Sequence, residues 1–124
     1  MKKKVLVVDD DATIRQMYVP FFTGRGYDVR AAANGRQAID IIKGERIDLV
    51  ILDLNMPEMS GEEVLKIVAD TDSWKRIPVV IDTASGERLN KIKAEFGTKL
   101  QLEFFQRPSS LDELSETIDR MLAL

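Results

Sequence analysis

Three short runs in this chain, KVLVV (4–8), DLVIL (48–52) and PVVID (78–82), are apolar almost without interruption. A strand that alternates apolar and polar residues can leave one face in water, but a strand that does not alternate must be covered on both. Such strands require a parallel sheet with helices above and below, and each parallel crossover needs a helix-length connection. Two mixed runs, DVRAA (28–32) and LQLEFF (100–105), complete a set of five and are expected nearer the sheet edges.

Between the runs the apolar spacing changes to the helical period. Ile14, Met17, Tyr18, Phe21 and Phe22 form a core-facing stripe, interrupted by Pro20, which predicts a kink or an early end. Asn34-Gly35 marks a turn, and Asn34 with Gln37 can cap a helix carrying Ala38, Ile39 and Ile42. Ser60-Gly61-Glu62-Glu63 and Ser110-Leu111-Asp112-Glu113 are capping boxes; Val64, Leu65 and Val68 follow the first, and Leu114, Ile118, Met121 and Leu122 the second. Leu89, Ile92 and Phe96 make another stripe, closed by Gly97. Core packing accounts for the aromatic and methionine positions. The order is (βα)5, an α/β fold, and 124 residues suit one domain, 1–124.

Composition removes several chemistries. With no Cys and no His, disulfides, thiolate zinc sites, Ser-His-Asp triads and imidazole acid–base catalysis are impossible within the chain. Any metal must be a hard cation held by oxygen. A net charge of −3 argues against a nucleic-acid surface as the main function. No apolar stretch is long enough to span a membrane, and the apolar run after the basic start is too short for a signal-peptide core. The expectation is a cytoplasmic protein.

In an open α/β sheet, ligands sit at the carboxyl ends of the strands. Those ends carry Asp9 and Asp10, then Asp53, then Thr83, then Arg107. Clustered carboxylates raise one another's pKa and oppose folding unless a cation or proton intervenes. Magnesium is a natural partner, with Asp9, Asp10, Asp53 and the carbonyl of Asn55 as candidate ligands. Taken alone, Asp9 to Asp11 serve equally well to end a strand and cap a helix, with Asp11 as the loop or cap residue. Asp53 emerges from a buried strand, where a carboxylate is costly unless used or paired. A carboxylate can attack phosphorus to give an aspartyl phosphate, provided a cation, a hydroxyl and a basic group hold the phosphoryl oxygens. Thr83 and Arg107 lie where those contacts are needed. Neither a Walker A loop nor G-x-G-x-x-G is present.

KVLVVDDDATIR, DLVILDLNMPEMSGEEVL, IPVVIDTASG and FFQRPSSLDEL together resemble the receiver domain of bacterial response regulators, over essentially the whole chain. The resemblance implies a flavodoxin-like fold with strand order 2-1-3-4-5 and phosphorylation on Asp53. The donor would be a phosphohistidine on a histidine kinase or phosphotransfer protein; lacking His, the chain cannot be its own donor. Asp10 would bind magnesium directly, Asp9 through water, and Asn55 through its backbone carbonyl. Thr83 matches the switch hydroxyl and Phe104 the switch aromatic. A cis peptide is implied between Arg107 and Pro108.

Three features depart from the family pattern. Arg107 stands where the family has Lys, and a planar fork is not equivalent to a point charge. It can grip a phosphoryl group bidentately or turn away from it. The stretch from Gly97 to Pro108 is longer than usual, so the last strand or its approach is rebuilt. Asp82 occupies a position where an apolar residue is common; strand alternation points it away from Thr83, toward a partner the sequence does not name.

Three functions are therefore distinguished. The first is a switch in which phosphorylated Asp53 draws in Thr83 and alters the face made by the fourth helix, fifth strand and fifth helix, where an output partner binds. The second is a phosphorylation-independent interaction module, for which Arg107 is the sign. The third, a magnesium-dependent phosphohydrolase, would turn over a free substrate, yet so small a domain has no cap or lid.

Overall fold

The computed structural model describes residues 2–84, 86–107 and 110–123. Strands and helices alternate: β1 (Lys4–Val8), α1 (Ala12–Gly24), β2 (Asp28–Ala32), α2 (Gly35–Gly44), β3 (Leu49–Leu52), α3 (Gly61–Asp70), β4 (Val79–Thr83), α4 (Gly86–Phe96), β5 (Leu102–Gln106) and α5 (Leu111–Leu122). All pairings are parallel, in the order β2-β1-β3-β4-β5. The mixed strands β2 and β5 are the edges, as their composition requires. The Arg107–Pro108 peptide bond lies outside the described residues.

Strand alternation divides the core in two. Leu6, Val8, Val50, Leu52, Val79 and Ile81 face Ala38 and Ile42 of α2, Leu65 and Val68 of α3, and Ile92 and Phe96 of α4. Val5, Val7, Leu49, Ile51 and Val80 face Tyr18 and Phe22 of α1 and Leu114, Ile118 and Met121 of α5. Each fully buried Leu, Ile or Phe here contributes about 1.5–3 kcal/mol of apolar burial. The site-bearing strand ends are thus anchored from both faces.

The caps form where the sequence puts them. Asp11 accepts from the Thr13 amide at 2.8 Å and Asn34 from the Gln37 amide at 2.9 Å. Ser60 accepts from Glu63, and Ser110 from Asp112 and Glu113. Gln37 reaches back to the Ala33 amide at 2.8 Å.

Three local expectations are corrected. Pro20 does not end α1, which continues to Gly24; Pro20 and Gln16 are exposed, so the carbonyl left without an amide donor can be hydrated. Met17 is 45% exposed and not part of the core. At about 100° per residue it lies on the far margin of a stripe centred nearer Tyr18 and Phe22. The fifth strand starts at Leu102 rather than Leu100, because the Lys99 and Leu100 amides close the end of α4 by donating to the Phe96 carbonyl at 2.9 Å. Residues 97–101 form that turn and the approach to β5.

Candidate functional site

The carboxyl ends of β1, β3, β4 and β5 meet at one rim. Asp9 and Asp53 continue their strands: the Asp9 amide donates to the Ala32 carbonyl at 3.1 Å, and the Asp53 amide to the Val8 carbonyl at 3.0 Å. Both are buried, whereas Asp10 is exposed. One carboxylate oxygen from each of Asp9, Asp10 and Asp53 lies within 4.8 Å of the others. Three hard oxygen donors at that spacing, without nitrogen or sulfur, fit magnesium or another hard divalent cation.

Asp53 shows the electrostatic consequence. Burial raises its pKa, the neighbouring Asp9 charge raises it further, and Arg107 with the Asn55 and Leu54 amides only partly offsets them. Behind it, α3 is packed hard against the acceptor loop, since a Cβ on Gly61 would lie 2.7 Å from the Asp53 carbonyl oxygen. The Asp53–α3 loop also holds Glu58 at φ 67°, a left-handed conformation.

Across the rim, Thr83 is fully buried at the end of β4, and its carbonyl accepts from the Arg107 amide at 2.8 Å. Phe104 pairs with Ile81 and packs in the same core as Ile81, two residue pairs before Thr83↔Gln106, with Lys93 Nζ 4.9 Å from its ring centroid. Thr83 and Phe104 therefore share one face of the sheet.

Arg107 neither simply enters the acid cluster nor turns away from it. Its Nη2 donates both to Asp9 Oδ2 and, at 3.2 Å, to Asp82 Oδ2. Asp82 is 0% exposed and, as alternation requires, lies on the face opposite Thr83. The Tyr18 hydroxyl donates to the same Asp82 oxygen at 2.5 Å. Burial and the Asp82 contact hold the Tyr18 phenol well above its usual pKa. Burial alone would lower the Arg107 pKa, but Asp82 and Asp9 together raise it further above its usual value.

Sequence reasoning named Asp82 as unexplained but missed Tyr18, whose place in an apolar stripe concealed its hydroxyl. It also missed Arg88. That side chain leaves the start of α4 and contacts Glu62, Asn55 Oδ1 and, at 3.1 Å, the Leu54 carbonyl. A signal was available: a cation in the first turn of a helix opposes the helix dipole and needs an acceptor elsewhere. A hollow of about 400 Å³ lies beside Trp74, Ile77 and Asp48; the acid cluster and Arg107 are not part of its lining.

A five-stranded parallel sheet bearing an acid cluster, a buried hydroxyl and a guanidinium at its carboxyl rim defines an α/β protein built to receive an anionic group beside a cation. The model of the response regulator receiver domain matches residues 5–119. Sporulation initiation phosphotransferase F of Bacillus subtilis is 40% identical over 126 residues, covering 100% of this chain and 97% of that protein. Among solved structures, Vibrio cholerae chemotaxis protein CheY4 superposes with a TM-score of 0.86 at 34% identity, covering 98% of this chain and 100% of that one. TrrA of Thermotoga maritima, solved in complex with Mg(2+)-BeF, gives a TM-score of 0.81 at 28% identity over 97% of this chain and 99% of its own. The chain belongs to the response regulator receiver domain family. Its fold is the flavodoxin-like one, and its class is that of phospho-accepting signalling domains served by histidine kinases or phosphotransfer proteins. Among the described residues, no helix is long and apolar enough to cross a membrane.

Proposed function

We propose that residues 1–124 form one receiver domain acting as a magnesium-dependent switch phosphorylated on Asp53. The reading rests on one observation above all: carboxylate oxygens of Asp9, Asp10 and Asp53 lie within 4.8 Å of one another, with Arg107 reaching Asp9 from across the rim. Asp9, Asp10 and Asp53, with the Asn55 backbone carbonyl, would hold magnesium. A cation there supplies neutralisation of the carboxylates and of the incoming phosphoryl oxygens.

An Asp53 oxygen attacks the phosphorus of a phosphohistidine on a kinase or phosphotransfer partner. An O–P bond forms, the P–N bond breaks, and its electron pair returns to the imidazole nitrogen. Thr83 and Arg107 then hold phosphoryl oxygens. The movement of Thr83, with Phe104 beside it, alters the face of α4, β5 and α5 presented to an output partner. In this reading the domain itself makes no direct contact with nucleic acid or membrane. Water attacking phosphorus later restores the carboxylate and releases inorganic phosphate, so the chain is a phospho-acceptor with at most intrinsic phosphotransfer and autodephosphorylation.

The test is incubation with acetyl phosphate and magnesium, followed by intact mass measurement. Wild type is expected to gain one phosphoryl group, and Asp53→Ala or removal of magnesium to abolish the gain. The engagement of Asp9 by Arg107 is the one feature that favours a phosphorylation-independent module. An unmodified wild type would decide for that alternative, and label persisting in Asp53→Ala would refute Asp53 as the acceptor.

A further inference from the structure

We infer that Asp82 is a positioning residue for Arg107, and that Tyr18 fixes Asp82 in that role. The inference rests on the phospho-acceptor reading and extends it to residues outside the phosphoryl and cation contacts.

A carboxylate removed from water carries a desolvation penalty of several kcal/mol unless it is paired and hydrogen-bonded. Asp82 is fully buried, and its Oδ2 receives both the Tyr18 hydroxyl and Arg107 Nη2. Arg107 is thus placed between two acids with different obligations. Asp9 belongs to the cluster suited to a cation, whereas Asp82 lies on the opposite face from Thr83 and outside that cluster. Were Asp82 absent, the guanidinium would have only Asp9 and would neutralise a cation-side carboxylate. With Asp82 present, Arg107 keeps a buried partner when Asp9 is engaged elsewhere.

Two idle atoms support this division of labour. Asp82 Oδ1 and Arg107 Nε are both buried and without a hydrogen-bond partner among the described residues. They are the pair that would complete a two-bond fork between guanidinium and carboxylate, alongside the existing Nη2–Oδ2 contact. Such a fork leaves Nη1 free to meet a phosphoryl oxygen. A lysine has a single nitrogen and no fixed plane, so it needs no such anchor.

The test is a double-mutant cycle of Asp82→Asn and Arg107→Lys, read as the rate of Asp53 phosphorylation by acetyl phosphate with magnesium. Asp82→Asn is expected to slow wild type about tenfold or more, but to change the Arg107→Lys protein less than about twofold. A second readout uses the metal-free protein: the Arg107 side-chain ¹⁵N resonances should show hindered guanidinium rotation in wild type and lose it in Asp82→Asn. Equal slowing in both backgrounds, or unchanged resonances, would overturn the inference. If Asp82→Asn does not fold, Tyr18→Phe carries the same cycle with a smaller effect in the same direction, and an equal effect in both backgrounds again refutes it. A wild type that takes no label defeats the phospho-acceptor reading instead, and the resonances then decide the positioning claim independently.

Discussion

The two ends of the rim solve opposite problems. At β1 and β3 the carboxylates of Asp9, Asp10 and Asp53 converge with Arg107 as a shared and partial counter-charge. At β4 and β5 the Asp82 carboxylate has that same guanidinium together with the Tyr18 hydroxyl. The first end is short of positive charge and so is receptive to a cation. The second is nearly self-sufficient and serves to hold a side chain in place. Like residue types at one rim therefore differ in role through their neighbours.

The largest effect is expected from breaking the self-sufficient end. Arg107→Ala leaves Asp82 buried with only the Tyr18 hydroxyl, and should destabilise the fold by about 3–5 kcal/mol in urea unfolding. Adding Asp82→Val to that variant should restore much of the loss. If the double variant is no more stable than Arg107→Ala, the pairing of these two charges is not what stabilises that end.

A smaller effect of opposite sign is expected at the receptive end. The Asp53 pKa is raised from its ordinary 3.8. The folded state thus holds this proton more tightly than the unfolded state. Its contribution is fully present below the ordinary value and is lost as pH rises through the raised one. Asp53→Asn should therefore be about 1–2 kcal/mol more stable than wild type near neutral pH without metal. The gap should shrink on acidification, and it should also close when magnesium is added, because the cation stabilises wild type by mass action. Thermal melts at several pH values, with and without magnesium, check both statements.

The smallest effect concerns Arg88, which clamps the start of α4 onto Glu62, Asn55 and the Leu54 carbonyl. Arg88→Ala should quicken amide exchange across residues 54–60 by about five- to tenfold, equivalent to about 1 kcal/mol of local opening, while leaving global stability nearly unchanged. Exchange that quickens equally in β1 and β2 would show the clamp to be general and not local.

Much of this was legible in sequence, for a physical reason. Uninterrupted apolar runs can only be central strands, and a charge placed directly after such a run must lie at a strand end. Asp9 and Asp53 were located on that ground, and Thr83 and Arg107 as the residues at the ends of the fourth and fifth runs. Caps were legible because Asp11, Asn34, Ser60 and Ser110 act within three residues. The partners of Asp82 were not, because Tyr18 is 64 residues away and Arg107 is 25, and nothing local selects one hydroxyl or one guanidinium. Met17 failed because periodicity gives the direction of a stripe but not its width.

The Asp82–Arg107 pair also has a consequence for inheritance. A chain that lost the guanidinium first would keep a stranded buried anion, and one that lost the anion first would loosen its guanidinium toward Asp9. Either single step passes through a handicapped ancestor. Positions 82 and 107 should therefore be exchanged together or not at all, and Tyr18 should be free to drift to phenylalanine only in lineages where both have already gone.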